Sequence, residues 1–372
     1  MKRRTFNKLV AGSAATALAT GKLSKTASAA HHSNTPKTER MHVGCQRGRV
    51  VEKELAFKAR CGVHHIDGYA PKLIPGVGWD LEDALRQQEL CAKYNITIDA
   101  YHLPLSSAGI DRVSVPHIML GKSPERDREI EMIQQMIEVA SKAGVRALLY
   151  NTTILPVVRT ERTPGRGGST YSSWNMKEGM AQKDELTQAG VVSVDEIYER
   201  ITYLLDRLLP VAEQYNVQLG NHIADPPLPI GYKGITRWNS PVVLEGIKRF
   251  ANLYDSPSHG FNLCLGSTAE GMKDPNAEIH EVIRYLGKRN QIFNIHMRNI
   301  KGGWGNFQEV YPDEGDMDFL EVARSLRDVG YKYMIMPDHV PKHPDDADGS
   351  QGFAFSYGYI KGLIQAVYSE AS

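Results

Sequence analysis

Four side chains able to bind a metal ion recur late in the chain, each closing a short apolar run. His222 follows Val217-Gln-Leu-Gly-Asn, Cys264 follows Gly260-Phe-Asn-Leu, His296 follows Ile292-Phe-Asn-Ile, and Asp338 follows Lys332-Tyr-Met-Ile-Met-Pro. Taken singly, a histidine at a strand end is more often a hydrogen-bonded structural residue than a ligand, and a lone buried cysteine is usually packing. The spacings of 42, 32 and 42 residues change that reading. Each is about one strand-plus-helix unit, so consecutive parallel strands of a barrel would carry all four to one face. Imidazole, thiolate and carboxylate meeting at a point make a borderline site open to Zn, Mn or Fe(II). With a coordination position left free, such an ion holds substrate oxygens and stabilises developing negative charge. His339, next to Asp338, is the candidate general acid or base, because imidazole titrates near neutrality; the alternative is a role in orienting its neighbours. Arg298 lies two residues past His296 and, on a continuing strand, shares its face. Arg159 and Arg162 fall in a long loop. All three arginines are candidates for gripping a substrate carboxylate, against the usual fate of a solvated surface cation.

The elements that must position these residues alternate along the chain. Strand-like runs occupy 41–46, 64–70, 96–103, 145–152, 216–222, 260–265, 292–299 and 331–338. Between and after them, helical apolar spacing covers roughly 50–61, 79–94, 123–143, 193–215, 240–253, 276–288, 317–328 and 353–368. Eight strands alternating with eight helices predict a single-domain α/β chain folded as a (β/α)8 TIM barrel. An open doubly wound sheet is the alternative, disfavoured because no glycine-rich dinucleotide fingerprint follows an early strand. Segments 104–122, 153–192, 223–239 and 300–316 are long, and all follow strands, the side on which a barrel builds its active site. The mixture of Arg159, Arg162, Arg166, Tyr171 and Trp174 in the second favours a lid over a disordered insertion.

Residues 1–29 read as an address. Lys2-Arg3-Arg4-Thr5-Phe6-Asn7-Lys8 has the twin-arginine pattern, a mildly apolar run follows, and Ala27-Ser28-Ala29 offers a cleavage site. The expectation is a twin-arginine signal peptide over 1–29, a linker over 30–40 and a catalytic barrel over 41–372, in a periplasmic or otherwise exported protein. That route carries folded proteins, so a metal loaded before export fits it. The leader holds six of the 44 basic residues and none of the 43 acidic ones, so its removal takes the net charge from +1 to about −5. This argues against a nucleic-acid partner. No later run is apolar and long enough to span a bilayer. Cysteines 45, 61, 91 and 264 are too few and scattered for a disulfide scaffold, and whether Cys45 and Cys61 pair is left open. Oligomeric state is not legible.

The ordered motifs resemble the mannonate dehydratase family, barrels of the xylose-isomerase-like superfamily. The carrying residues are Asn221-His222-Ile-Ala-Asp225-Pro226-Pro227, Asn262-Leu-Cys264-Leu-Gly266-Ser267, Ile295-His296-Met-Arg298-Asn299, Phe307-Gln-Glu309, Gly315-Asp316-Met-Asp318 and Pro337-Asp338-His339. Tyr150-Asn151, Arg159, Arg162 and Gly167-Gly168 look like the family's loop after strand four, which implies substrate contacts there. The resemblance implies that His222, Cys264, His296 and Asp338 bind one divalent ion, Mn²⁺ first and Fe²⁺ or Zn²⁺ as alternatives. It also implies dehydration of a small sugar acid, D-mannonate to 2-keto-3-deoxy-D-gluconate. A sugar isomerase, epimerase or keto-sugar eliminase on the same barrel is the second reading. The chain departs from the family pattern in three places. Ile223-Ala224 replaces Pro-Asp, Val340 replaces a common Gly, and no tyrosine lies between His339 and Tyr357, where members place a catalytic one.

Overall fold

The computed structural model describes residues 39–371 apart from 47, 183 and 184. The leader over 1–29 and most of the linker lie outside these described residues. Eight strands close into a parallel barrel in chain order: β1 His42–Cys45, β2 His65–Gly68, β3 Thr97–His102, β4 Ala147–Tyr150, β5 Gln218–His222, β6 His259–Cys264, β7 Ile292–His296 and β8 Met334–Met336. Strands such as β4 and β6 are buried along their whole length, the pattern of a parallel sheet covered on both faces. The connecting helices are α1 Glu52–Arg60, α2 Leu81–Ala92, α3 Glu125–Lys142, α4 Val194–Gln214, α5 Val243–Ala251, α6 Pro275–Gly287, α7 Phe319–Asp328 and α8 Ser350–Ser369. Their starts are chemically marked. Asp80, Asp274 and Asp318 accept backbone N–H bonds at the heads of α2, α6 and α7, and Ser193 with Glu196 forms a full capping box on α4.

Alternation along the strands divides the apolar residues into two sets. The larger lies between strands and helices. The smaller, Ala100, Ala147, Leu149, Met334 and Met336, fills the lumen and floors the barrel mouth. No described helix is long and apolar enough to cross a membrane, and all four cysteines are free.

The structure departs from the sequence pattern mainly in the excursions above the barrel. The run read as one strand over 292–299 is two: β7 stops at His296, and Asn299–Gly303 turns outward into an antiparallel hairpin with Asn306–Val310. The Asn299 side chain makes this break, donating to the carbonyls of Pro312 and Met317 and accepting from the Ile300 and Met317 amides. Gly302 is required in the turn, because its φ is +84° and a Cβ would sit 2.2 Å from the Asn306 carbonyl oxygen. Ser173–Asn175 adds a third strand to that hairpin, with Trp174 buried edge-on against Tyr232. The described part of 153–192 is therefore built into the mouth, and Arg166 ties it down with two 2.7 Å bonds to Asp313.

Because the lumen cluster is small, losing one of its large members opens a cavity that little can fill. Leu149→Ala is expected to cost about 2–5 kcal/mol, read as a lower urea midpoint; an unchanged midpoint would contradict a packed lumen.

Candidate metal centre

The ends of β5, β6 and β7 and the residue two past β8 bring His222, Cys264, His296 and Asp338 together, with one donor atom from each lying within 4.8 Å of the others. Cys264 Sγ is 3.7 Å from Asp338 Oδ2, and His296 Nδ1 is 3.4 Å from Asp338 Oδ1. Donors sharing an ion through bonds of about 2.0–2.3 Å are expected at separations of about 3–4 Å. His222 Nδ1 sits 2.6 Å from the Ile223 carbonyl, which fixes that nitrogen as the protonated one and leaves Nε2 a free lone pair. Burial holds the His222 pKa down despite the pull of Asp338, favouring the neutral ring a ligand must have. His296 Nδ1 is buried without a hydrogen-bond partner among the described residues. Gln46, just past β1, donates to Asp338 Oδ1 and to its carbonyl at 2.7 and 2.8 Å. The donor set and the orphaned nitrogen fit a borderline divalent ion, the chemistry expected of these side chains.

Beside the quartet lies a buried ionic network. Arg298, its side chain only 1% exposed, donates to Asp338 Oδ2 at 2.9 Å, Asp225 Oδ2 at 3.0 Å, Glu270 Oε1 at 2.7 Å and Ser267 Oγ at 3.0 Å. Arg159 spans Asp225 at 2.6 Å, Glu270 at 3.2 Å and Glu309. Gly266 makes room for this: a Cβ there would meet Arg298 Nε at 2.3 Å. Burial alone would raise the carboxyl of Asp225, but the two guanidiniums outweigh it and hold it well below the usual range. Glu270 is pushed well above its range, by burial and then by Asp225. At Asp338 burial again acts upward, yet His339, His296 and Arg298 hold it well down. Asp225, Glu270, Glu309 and Asp338 thus share two guanidiniums here.

His339 reaches out from this network with its side chain 49% exposed. Its Nδ1 lies 3.1 Å from Glu309 Oε2 and its Nε2 lies 3.3 Å from Asp338 Oδ2 and 2.8 Å from Arg298. Burial and Arg298 disfavour the charged ring, but the two carboxylates prevail and raise its pKa to about 9. A cavity of about 300 Å³ opens over the site, and its walls include His102, Asn151, His222, His296, Asp338 and His339.

Several expected substrate contacts are placed elsewhere. Arg298 does border the metal donors, as its spacing predicts, but it is spent on protein carboxylates and does not line the cavity. Arg159 is held in the same network. Arg162 is exposed and bonds Thr170 through Oγ1 at 3.0 Å and through the carbonyl at 2.6 Å. Tyr150 is buried outside the cavity wall; its neighbour Asn151 does line it. Tyr357 lies in α8, fully buried, with its hydroxyl 2.7 Å from Cys45 Sγ. Neither it nor Tyr359, also in α8, reaches the cavity. His102 does line it, with Asp67 buried behind the ring, and only their polarity within apolar strands marks them in the sequence.

Residues 170–371 match the family model described as D-mannonate dehydratase. The chain belongs to the D-mannonate dehydratase family. The mannonate dehydratase of Thermotoga neapolitana is 26% identical over 317 residues, covering 75% of this chain and 82% of that protein. The Streptococcus uberis mannonate dehydratase is 29% identical over 309 residues, covering 74% and 85%. The crystal structure of the mannonate dehydratase from Streptococcus suis serotype 2 superposes with a TM-score of 0.71 at 25% identity, covering 90% of this chain and 95% of that one. A D-tagatose 3-epimerase-like protein, at 17% identity and a TM-score of 0.56, shares the barrel fold. Within the family motifs, not every residue faces the chemistry: Asn299, Asp316 and Asp318 hold loops and a helix start.

Cys264→Ser is expected to reduce bound divalent metal sharply while the barrel stays folded, measured by elemental analysis and circular dichroism. Arg298→Lys, which cannot reproduce the forked contacts to Asp338 and Asp225, should weaken metal affinity by about 10–100-fold. Full occupancy in both variants would remove the quartet as the metal site.

Proposed function

We propose that the chain is a metal-dependent hydro-lyase that converts D-mannonate to 2-keto-3-deoxy-D-gluconate and water. The observation that carries this reading is the two-histidine, cysteine and aspartate donor set facing a cavity beside His339, in a chain of this family. His222, Cys264, His296 and Asp338 hold the ion, with Mn²⁺ the first choice. The ion supplies electrophilic stabilisation as negative charge grows next to the substrate carboxylate.

The chain's own residues do the rest. Arg298 and Gln46 fix the Asp338 carboxylate from two sides. Asp225, Glu270 and Glu309 lock Arg298 and Arg159, so that wall of the cavity is rigid and already polarised. His339, held through Nδ1 by Glu309 and through Nε2 beside Arg298 and Asp338, borders the cavity. Its role is to give a proton to the 3-hydroxyl as the C3–O bond breaks, so that water rather than hydroxide departs.

The reading predicts turnover of D-mannonate, loss on chelation with recovery on adding Mn²⁺, and no turnover of D-mannose. An assay for 2-keto-3-deoxy acids checks it; faster conversion of neutral aldoses or ketoses than of any aldonate would favour an isomerase instead. His339→Asn should keep its metal but lose turnover by about 10²–10⁴-fold. A 3-deoxy-3-fluoro-mannonate, whose leaving group needs no proton, should recover most of that loss. Near-normal activity of the variant on D-mannonate would reduce His339 to an orienting role.

A further inference from the structure

A second imidazole faces the cavity from another part of the mouth. His102 ends β3, and going round the closed ring β3 is separated from β8 by β1 and β2. Its side chain is 39% exposed, and it lines the same cavity as the metal donors and His339. Behind it stands Asp67 of β2, with a side chain 1% exposed; its Oδ2 is 2.5 Å from His102 Nε2. With Nε2 turned to the carboxylate, Nδ1 is the nitrogen left for substrate.

The backbone arranges this pair by a local irregularity. Ile66 pairs with Ile98 but Asp67 pairs with Ala100, so Asp99 is passed over between β2 and β3. A bulge of this kind re-aims the side chains that follow it. Asp99 serves a different cluster, 3.1 Å from His65 and 3.4 Å from His42. Asp67 is brought opposite Ala100, and His102 opposite Leu149, both of them lumen residues. Carboxylate and imidazole therefore stand together above the lumen floor. A buried aspartate in the mouth would be costly without a partner, and the His102 ring is the polar group its geometry sets beside it.

We propose that His102 is the general base that removes the C2 proton of the sugar acid, with Asp67 as the positioning residue that orients the ring. This rests on the lyase reading and supplies the proton acceptor that a C2–H cleavage requires. His102 takes the C2 proton, the C–H electron pair forms the C2–C3 double bond, and the C3–O bond breaks. The departing oxygen takes the His339 proton and leaves as water. The resulting enol takes a proton at C3 from His102 and gives its hydroxyl proton to His339, so the 2-keto product forms and both rings return to their starting states. An aspartate behind an imidazole fixes its tautomer and stabilises the imidazolium formed in such a step. Burial disfavours that charged ring, but Asp67 outweighs it and the His102 pKa is raised.

The test uses the metal-loaded full chain with D-mannonate and its 2-deuterated form. His102→Ala should retain metal and KM within a few-fold, while kcat falls by about 10²–10⁴-fold. The primary deuterium isotope effect should grow as C–H cleavage becomes limiting, and added imidazole should restore part of the rate. Asp67→Asn should lower kcat less and enlarge the isotope effect in the same direction, which keeps the test open if the alanine variant folds poorly. Unchanged kcat in His102→Ala overturns the assignment. So does a loss carried by KM or metal content with the isotope effect unmoved. An unaltered protein inactive on every aldonate overturns the lyase reading and this role with it, whereas active wild type with an indifferent His102 variant overturns this role alone.

Discussion

Arg298 is the residue on which the mouth of this barrel depends. Its guanidinium is fully buried between Asp338, which belongs to the metal donors, and Asp225 and Glu270, which do not. Carboxylates placed this deep cost several kcal/mol each unless paired. The network is tolerated because each shares a guanidinium, a hydroxyl or an imidazole with another. Rigidity follows. Asp338 cannot turn without breaking its contacts to Arg298 and Gln46, so the donor set stands ready without reorganising.

That arrangement draws on three separate excursions. Asp225 comes from the segment after β5, Glu270 from the one after β6, and Glu309 from the hairpin after β7. Each follows a strand, so the strand ends bring the donors and the loops above them bring the counter-charges. Glu309 completes the coupling, since it meets Arg159 and Arg298 on one oxygen and His339 on the other. The protonation of His339 is thereby tied to the charge state of the metal wall. The lumen residues beneath, Leu149 and Met336 among them, keep the floor apolar, so the cavity's polar groups all lie in its walls.

Much of this was legible in the sequence, for physical reasons. Short apolar runs and strand–helix alternation located all eight strands and eight helices to within a few residues, because a parallel barrel covered on both faces demands both at regular spacing. The convergence of His222, Cys264, His296 and Asp338 was legible because those spacings match the unit length. The arginines were not. Spacing showed that Arg298 shares a face with His296, but its acceptors come from distant loops, and no local pattern says whether a buried guanidinium meets protein or substrate. The break at Asn299 was hidden because its cause is a side chain bonding backbone some 13 and 18 residues further on. Asp67 and His102 were hidden because one polar residue in an apolar strand looks the same whether it faces a lumen or a loop.

The central claim is that one divalent ion sits among His222, Cys264, His296 and Asp338 and that the neighbouring carboxylates serve charge balance. Anomalous diffraction at the manganese edge from crystals of the Mn²⁺-loaded protein tests it most directly. The account predicts a single strong peak within bonding distance of donor atoms from all four side chains, with Arg159 and Arg298 still occupying the space between Asp225, Glu270 and Glu309. A peak among those three carboxylates, or none at the quartet, would contradict it.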